Sequence, residues 1–94
     1  MPEQRFFIRG EIDMSTAPEL RTSLRDTIEH HEGDLVVDCC GLTFIDSAGV
    51  SILIATARSL ESKGHSLRVV NVDNLTARLV DIMGVADILH VRST

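Results

Sequence analysis

Apolar residues along the chain follow two spacings, and the alternation between them predicts the order of strands and helices. Residues Phe6–Asp13 alternate in part between apolar and polar positions, which is typical of a strand. The runs Leu35–Cys39 and Leu67–Val72 are apolar and rich in β-branched residues, which predicts two further strands. Because the run Leu35–Cys39 is almost continuous, it indicates a strand buried on both faces inside a parallel sheet. A last strand, Ile88–Val91, is expected to close the sheet.

Between the strands, apolar residues recur at helical spacing. The first helix carries an apolar stripe over Ala17–Ile28, and Thr16 and Glu19 at its start have the spacing of a capping box. The second helix begins near Ser47 and runs to about Lys63, where the following glycine stops it. Both stripes are expected to face the core.

A third helix, capped by Asp73 or Asn74 and ended by Gly84, completes the alternation. This order predicts an α/β fold with a mixed, mostly parallel sheet of four to five strands and three to four helices. At 94 residues the chain has room for one hydrophobic core, so residues 1–94 are expected to form a single domain. Short right-handed crossovers bring the ends of parallel strands and the starts of the following helices to one edge, where we expect the function.

Composition argues against several classes of function. Fourteen acidic and nine basic side chains give a formal charge of -5, and aromatic residues make up only 3%. Such a chain is poorly suited to nucleic acid or an anionic membrane surface, since both attract positive charge and base stacking needs aromatic rings. No apolar run approaches the roughly 18 residues of a membrane-spanning helix. With no apolar signal segment behind Met1–Arg5, and adjacent cysteines that cannot pair without strain, we expect a cytoplasmic protein.

The densest candidate site is the stretch Phe44–Val50, which puts the hydroxyl of Ser47 at the start of the second helix, directly after Asp46. Free N–H groups and the helix dipole favour an anion at such a start, so Ser47 is a candidate phosphoacceptor. A phosphoryl group would add about 1.5 to 2 negative charges and accept bonds from several N–H groups. The spacing alone leaves open the alternative that Asp46 or Ser47 is only an N-cap and Gly49 only a packing requirement.

Other chemistry finds little support in the sequence. A serine hydrolase would need a G-x-S-x-G turn around Ser47 and an activating histidine, but His30, His31, His65 and His90 lie in loops, at helix ends or on the last predicted strand. Neither the histidines nor the cysteines have a ligand spacing such as C-x-x-C, so we expect no metal. Glycine-rich phosphate loops are absent from the sequence. We therefore expect a non-catalytic protein without a cofactor, which depends on a separate kinase for ATP and magnesium.

Two further acidic residues are expected at the same edge as Ser47. Asp13 ends the first predicted strand and Asp38 ends the second. Each is interpreted either as a turn-forming acid or as a recognition acid for a basic partner surface.

Five blocks of the chain together resemble the STAS domain family, especially the bacterial anti-sigma-factor antagonists. The blocks are Gly10–Asp13, Ala17–Ile28, Leu35–Asp38, Phe44–Val50 and Leu67–Val72. Their order and spacing, and the D-S-x-G element at residues 46–49, match that family over nearly the whole chain.

This resemblance implies a switch that works by binding. In the family, the unphosphorylated antagonist binds an anti-sigma factor that is also a serine protein kinase, and so releases the sigma factor. The kinase phosphorylates the antagonist and thereby ends the binding, and a metal-dependent phosphatase restores it. By this resemblance Ser47 is the phosphorylated serine. The residues expected to bind the partner are Asp13, Asp46, Ala48, Gly49, Val50 and Ser51.

The chain departs from the family pattern in two ways. Family members often have D-S-S-G-L-G, where this chain has Ala48, Val50 and Ser51, so Ser47 is the unambiguous acceptor and the docking surface is altered. Family members also commonly have a strand before the one that ends at Asp13, and a missing strand would leave an exposed edge for a homodimer. The alternative function is a permanently docked structural or regulatory subunit of a transport or stress-signalling complex.

Overall fold

In a computed structural model of the chain, which describes residues 3–90, three strands and four helices follow one another. The strands are β1 (Gln4–Ile12), β2 (Leu35–Ile45) and β3 (Leu67–Val70). The helices are α1 (Ala17–Glu29), α2 (Ser47–Glu61), α3 (Asn74–Met83) and α4 (Ala86–Leu89). The predicted α/β class is confirmed, but within residues 3–90 the sheet has three strands rather than four to five, and all of them are parallel.

The four helices cover one face of the sheet. The strand order is β1-β2-β3, and two right-handed crossovers that advance in the same direction leave α1 and α2 on the same face. Helix α1 packs on α2, and α2 packs on α4. The opposite face, here called the helix-free face, carries Arg5, Phe7, Val36 and Asp38, and no helix of the described part covers it.

The central strand β2 confirms the prediction of a strand buried on both faces. All five residues from Leu35 to Cys39 are buried. The strand is longer than predicted, because after two register shifts it continues beside the second half of β1, as far as the pair Ile12 and Ile45. This extension brings the C-terminal ends of β1 and β2 to the same edge.

The prediction of a last strand at Ile88–Val91 is wrong. Residues Ala86–Leu89 form a helix, His90 has a left-handed φ of 48°, and Val91 lies outside the described residues. A short apolar run has no period that separates a strand from a helix, so tertiary packing decides. Here the helix buries Leu89 completely in the core, against α2 and β3.

The helix ends confirm some local predictions and contradict one. Asp73 caps α3 by accepting a 2.7 Å bond from the N–H of Thr76, and Gly84 ends α3 with a left-handed φ of 72°. The capping box at the start of α1 is not formed, because the Thr16 side chain makes no cap bond to the helix. Its hydroxyl instead donates to the Glu11 carbonyl, 3.0 Å away, and accepts from the N–H of Asp13.

Candidate functional site

The ends of β1 and β2 place the predicted site at one edge of the sheet. Ile12 and Ile45 are register partners, and the N–H of Asp46 donates to the carbonyl of Ile12 at 3.1 Å. The turn that follows β1 therefore lies beside the start of α2. As predicted, Asp13 and Ser47 come to the same edge.

Asp46 is the N-cap of α2, and Ser47 is the first helical residue. One oxygen of Asp46, Oδ1, accepts from the N–H groups of Ala48 at 2.9 Å and Gly49 at 3.2 Å. The backbone carbonyl of Asp46 accepts from the N–H of Val50 at 3.1 Å. The cap interpretation therefore holds for Asp46, and it leaves the exposed side chain of Ser47 without a role in starting the helix.

This cap changes what a phosphate on Ser47 would meet. The sequence suggested that a phosphoryl group would collect several free N–H groups at the helix start, but Asp46 already occupies those of Ala48 and Gly49. A phosphate beside this carboxylate would be repelled by it and directed outward, toward solvent or a bound protein.

Two of the expected partner-binding residues are not on the surface. Val50 is 0% exposed and belongs to the core, and Gly49 is buried as well. A Cβ atom on Gly49 would lie 2.6 Å from Cγ1 of Ile45 and 2.7 Å from Cγ2 of Ile12. Gly49 therefore lets α2 lie close to the two strand ends, and neither residue can contact a partner directly. Of the expected set, Asp13, Asp46, Ala48 and Ser51 keep some exposure.

Asp13 organises the turn between β1 and α1. Its Oδ1 accepts from the hydroxyl of Ser15 at 2.7 Å, from the N–H of Ser15 at 2.9 Å, and from the N–H of Thr16 at 3.1 Å. These bonds, led by the Ser15 hydroxyl, lower the pKa of Asp13, because each favours the charged carboxylate. Asp13 is therefore both a turn-forming acid and a partly exposed negative charge near Ser47.

The expectation that Asp38 lies at the same edge is wrong. Asp38 lies within β2, is 4% exposed and points to the helix-free face. Its carboxylate accepts from Nδ2 of Asn71 at 3.0 Å, from the N–H of Cys40 at 3.0 Å, and from Arg5 on β1. The Asn71 bond, the Cys40 bond and Arg5 lower the pKa of Asp38 to about 2. Asp38 thus links β1, β2 and the end of β3, and it is a structural residue.

A groove between α1 and α2 begins beside Ser47 and was not foreseen from the sequence. This groove, called the α1–α2 groove below, has a volume of about 820 Å³. It is lined among others by Met14, Arg21, Arg25, Ala48, Ser51 and Ala55. Met14 is 79% exposed at its end near the strand edge. The signal in the sequence was an apolar residue inside a polar turn, directly after Asp13.

Other candidate chemistry is not supported by the part of the chain that the structure describes. Within residues 3–90, no group of three or more His, Cys, Asp or Glu side chains is arranged to hold a metal ion. His65 lies 3.9 Å from Asp34, at the opposite end of β2 from Ser47. No helix between residues 3 and 90 has both the length and the apolar character needed to cross a membrane.

Comparison with known proteins gives consistent matches. Residues 3–90 match a family model described as "Mlab, STAS domain". The anti-sigma-B factor antagonist of Staphylococcus epidermidis is 30% identical over 84 residues, which are 89% of this chain and 78% of that protein. The crystal structure of an anti-sigma factor antagonist from Mycobacterium paratuberculosis has a TM-score of 0.86 at 30% identity, over 96% of this chain and 76% of that one. The anti-sigma factor antagonist SpoIIAA, in its unphosphorylated form, shares the fold with a TM-score of 0.68 at 19% identity, over 83% of this chain and 72% of that one.

Proposed function

Because this chain belongs to the STAS domain family, we propose that it is an anti-sigma factor antagonist controlled by phosphorylation of Ser47. In its unphosphorylated form it binds an anti-sigma factor that is also a serine protein kinase, and so releases the sigma factor. The observation that carries this proposal is the exposed Ser47 hydroxyl at the start of α2. The chain itself is a binding protein that performs no catalysis and needs no cofactor.

The geometry around Ser47 suits a switch that leaves the fold intact. Since Asp46, and not Ser47, caps α2, a phosphate on Ser47 breaks no cap bond. The phosphate adds about 1.5 to 2 negative charges beside Asp46, where a docked protein would have to desolvate them. A loss of about 3 kcal/mol at that interface would weaken binding roughly a hundredfold. Phosphorylation thus lowers affinity for the partner without unfolding the antagonist.

The partner-facing surface in this proposal consists of the exposed residues at the strand edge. At the strand edge, Asp13 and Asp46 present negative charge to a basic group of the partner. Ala48 and Ser51 continue the surface along α2, away from these two charges. Gly49 and Val50 are buried beneath this surface and position it, because they allow α2 to pack against the strand ends.

Two further parts of the cycle follow from the same proposal. A metal-dependent protein phosphatase removes the phosphate from Ser47 and restores binding. The cycle takes place in the cytoplasm, where the sigma factor, the kinase and ATP are found.

Phosphorylation of the purified chain tests the proposed acceptor. The chain is incubated with Mg-ATP and an extract of the source cells, and its intact mass is measured. We expect one phosphate on the wild type and none on Ser47→Ala. Ser51→Ala is the matched control, because Ser51 lies one turn further along α2 and donates its hydroxyl to the Ser47 carbonyl at 2.8 Å. A phosphate that persists on Ser47→Ala would contradict the proposal.

Capture of the partner tests the consequence for binding. Immobilised wild type and Ser47→Ala should retain the same kinase from the extract, and Ser47→Asp should bind it far more weakly. If all three variants instead retain one large complex equally, the chain is a permanently docked subunit and the switch is absent.

We also propose that the chain forms a homodimer through the outer edge of β1. The N–H of Gln4 and the carbonyl of Ile12 point toward β2, so the odd-numbered residues between them direct their backbone groups outward. Among residues 3–90, no strand pairs with this edge. Two antiparallel β1 strands related by a two-fold axis at Ile8 would place Arg5 opposite Glu11 on each side.

Light scattering at several protein concentrations tests this dimer. Glu11→Arg would place two arginines opposite each other and should shift the protein to the monomer. Glu19→Arg, the same change on the exposed surface of α1, should not. A wild type that stays monomeric at every concentration would refute the dimer.

A further inference from the structure

The α1–α2 groove is lined by residues of two helices along much of their length. Arg21 and Arg25 line it from α1, and Ala48, Ser51 and Ala55 line it from α2. The residues from α2 recur at spacings of three and four, so they form one stripe, and their small side chains leave room above the helix. Helix α1 has 13 residues, and a segment of that length is about 20 Å long. A partner helix of similar length would lie along the groove, over both helices.

The charge of the groove is opposite to that of the whole chain. Its charged lining consists of Arg21, Arg25, Lys63 and Glu29, a net charge of +2, whereas the chain carries -5. Within the described residues, none of these three basic side chains has a carboxylate within 4.0 Å, since the ion pairs there involve Arg5, His65 and Arg68. The groove therefore offers net positive charge, and no described carboxylate forms a direct ion pair with its basic side chains.

We propose that the α1–α2 groove binds an acidic, amphipathic helix of the protein partner. The apolar stripe of that helix would lie on Met14, Ala48 and Ala55, in the helix-in-groove manner. Because Arg21 and Arg25 lie one turn apart on α1, they match two carboxylates one turn apart on the partner helix. This inference rests on the proposed function for the partner's identity, and on the groove alone for its chemistry.

The position of the groove connects it to Ser47. Ala48 and Ser51 line the end of the groove that lies beside Ser47. A phosphate on Ser47 would add its negative charge where the acidic helix enters. Since like charges repel across a short distance, the helix would leave first from that end.

A peptide titration tests the groove without any kinase. The probe is an amphipathic helical peptide of about 14 residues, matched in length to α1, with glutamates one turn apart beside a leucine and alanine stripe. Amide resonances of the 15N-labelled chain are followed by NMR. We expect shifts confined to α1 and α2 around Arg21, Ala48 and Ser51. Shifts centred on the helix-free face, or none at millimolar peptide, would overturn the proposal.

Charge reversal makes the test specific. Arg21→Glu combined with Arg25→Glu should weaken binding of the acidic peptide at least tenfold, and a peptide with lysines in place of the glutamates should then bind that variant. Arg58→Glu combined with Arg78→Glu is the matched control, because both arginines are exposed and lie outside the groove. Equal weakening by the two double variants would refute the assigned groove. If the Arg21→Glu and Arg25→Glu variant unfolds, Arg21→Gln combined with Arg25→Gln replaces it and should also weaken binding of the acidic peptide.

The same variants separate this inference from the proposed function. If binding of the captured kinase is weakened by Ser47→Asp but not by the charge reversal at Arg21 and Arg25, the proposed antagonist function stands and the groove proposal is refuted. If binding of the partner is weakened by the charge reversal but not by Ser47→Asp, the groove proposal stands and the phosphorylation switch is refuted.

Discussion

The middle of β2 and the turn after its C-terminal end each contain an aspartate, but the surroundings of the two aspartates differ. Asp38 accepts bonds from Arg5, Cys40 and Asn71 and is almost fully buried. Asp46 also satisfies backbone N–H groups, but its neighbour Ser47 remains exposed. In both regions the aspartate is satisfied by hydrogen bonds within the chain, and the exposed Ser47 hydroxyl beside Asp46 is the group for which we propose recognition.

The largest expected effect comes from the packing beneath Ser47. Gly49→Ala places a methyl group within 2.6 Å of Ile45 and 2.7 Å of Ile12, both buried. We expect it to lower the free energy of unfolding by about 1–3 kcal/mol, the usual range for overpacking. Chemical denaturation followed by circular dichroism measures this.

Ser51→Ala on the same helix is the control for Gly49→Ala. Its side chain is exposed, so its stability should stay within about 0.5 kcal/mol of the wild type. If Gly49→Ala is as stable as Ser51→Ala, the close contact between α2 and the strand ends does not constrain the site.

A smaller effect is expected from the cap itself. Asp46→Ala removes the acceptor for two N–H groups and should cost about 0.5–2 kcal/mol, whereas Asp46→Asn keeps a cap and should cost less. Thermal unfolding of the two variants distinguishes a cap from a pure contact residue. Equal melting temperatures for Asp46→Ala and the wild type would show that α2 does not need this cap.

The sequence predicted the elements well where periodicity decides and poorly where tertiary packing decides. The buried pattern of Leu35–Cys39 identified the central strand, because only an interior strand is apolar on both faces. The prediction of a strand at Ile88–Val91 is wrong, because three apolar residues around His90 carry no readable period.

The site shows the same division. The D-S-x-G element located Ser47 and Asp46 correctly at a helix start, since capping is a local property. The family resemblance placed Val50 on the docking surface, whereas Val50 lies in the core as part of the apolar stripe of α2. The sequence did not show that Asp38 meets Asn71 across the sheet, because that contact joins distant parts of the chain. The α1–α2 groove depends on how two helices pack, which no single stretch of sequence records.

The Asp38 contacts predict that the stability of the fold depends on pH. Their net effect lowers the pKa of Asp38 from 3.8 to about 2 in the folded chain. A lowered pKa means that the carboxylate stabilises the fold above pH 3.8, and that this contribution disappears as the pH falls through 2. Asp38→Asn should therefore melt at a lower temperature than the wild type at pH 7, and the difference should narrow toward pH 2.

Melting curves of both proteins between pH 7 and pH 2 check this expectation. Asp26→Asn, an exposed acid on α1, is the control and should follow the wild type across the range. A gap between Asp38→Asn and the wild type that stays constant with pH would show that the charge of Asp38 is not what holds the three strands together.

The smallest effect concerns Cys39 and Cys40, which follow Asp38 on β2 and point to opposite faces of the sheet. Cys39 is buried among core residues, and burial raises its pKa to about 12, whereas Cys40 is exposed. At pH 8 roughly one Cys39 in ten thousand would be a thiolate, the form that reacts. Iodoacetamide should therefore modify one thiol, that of Cys40, in the native protein and both thiols in denaturant. Rapid labelling of both thiols in the native state would mean that β2 opens in its middle, and the contrast between its closed centre and its accessible end would not hold.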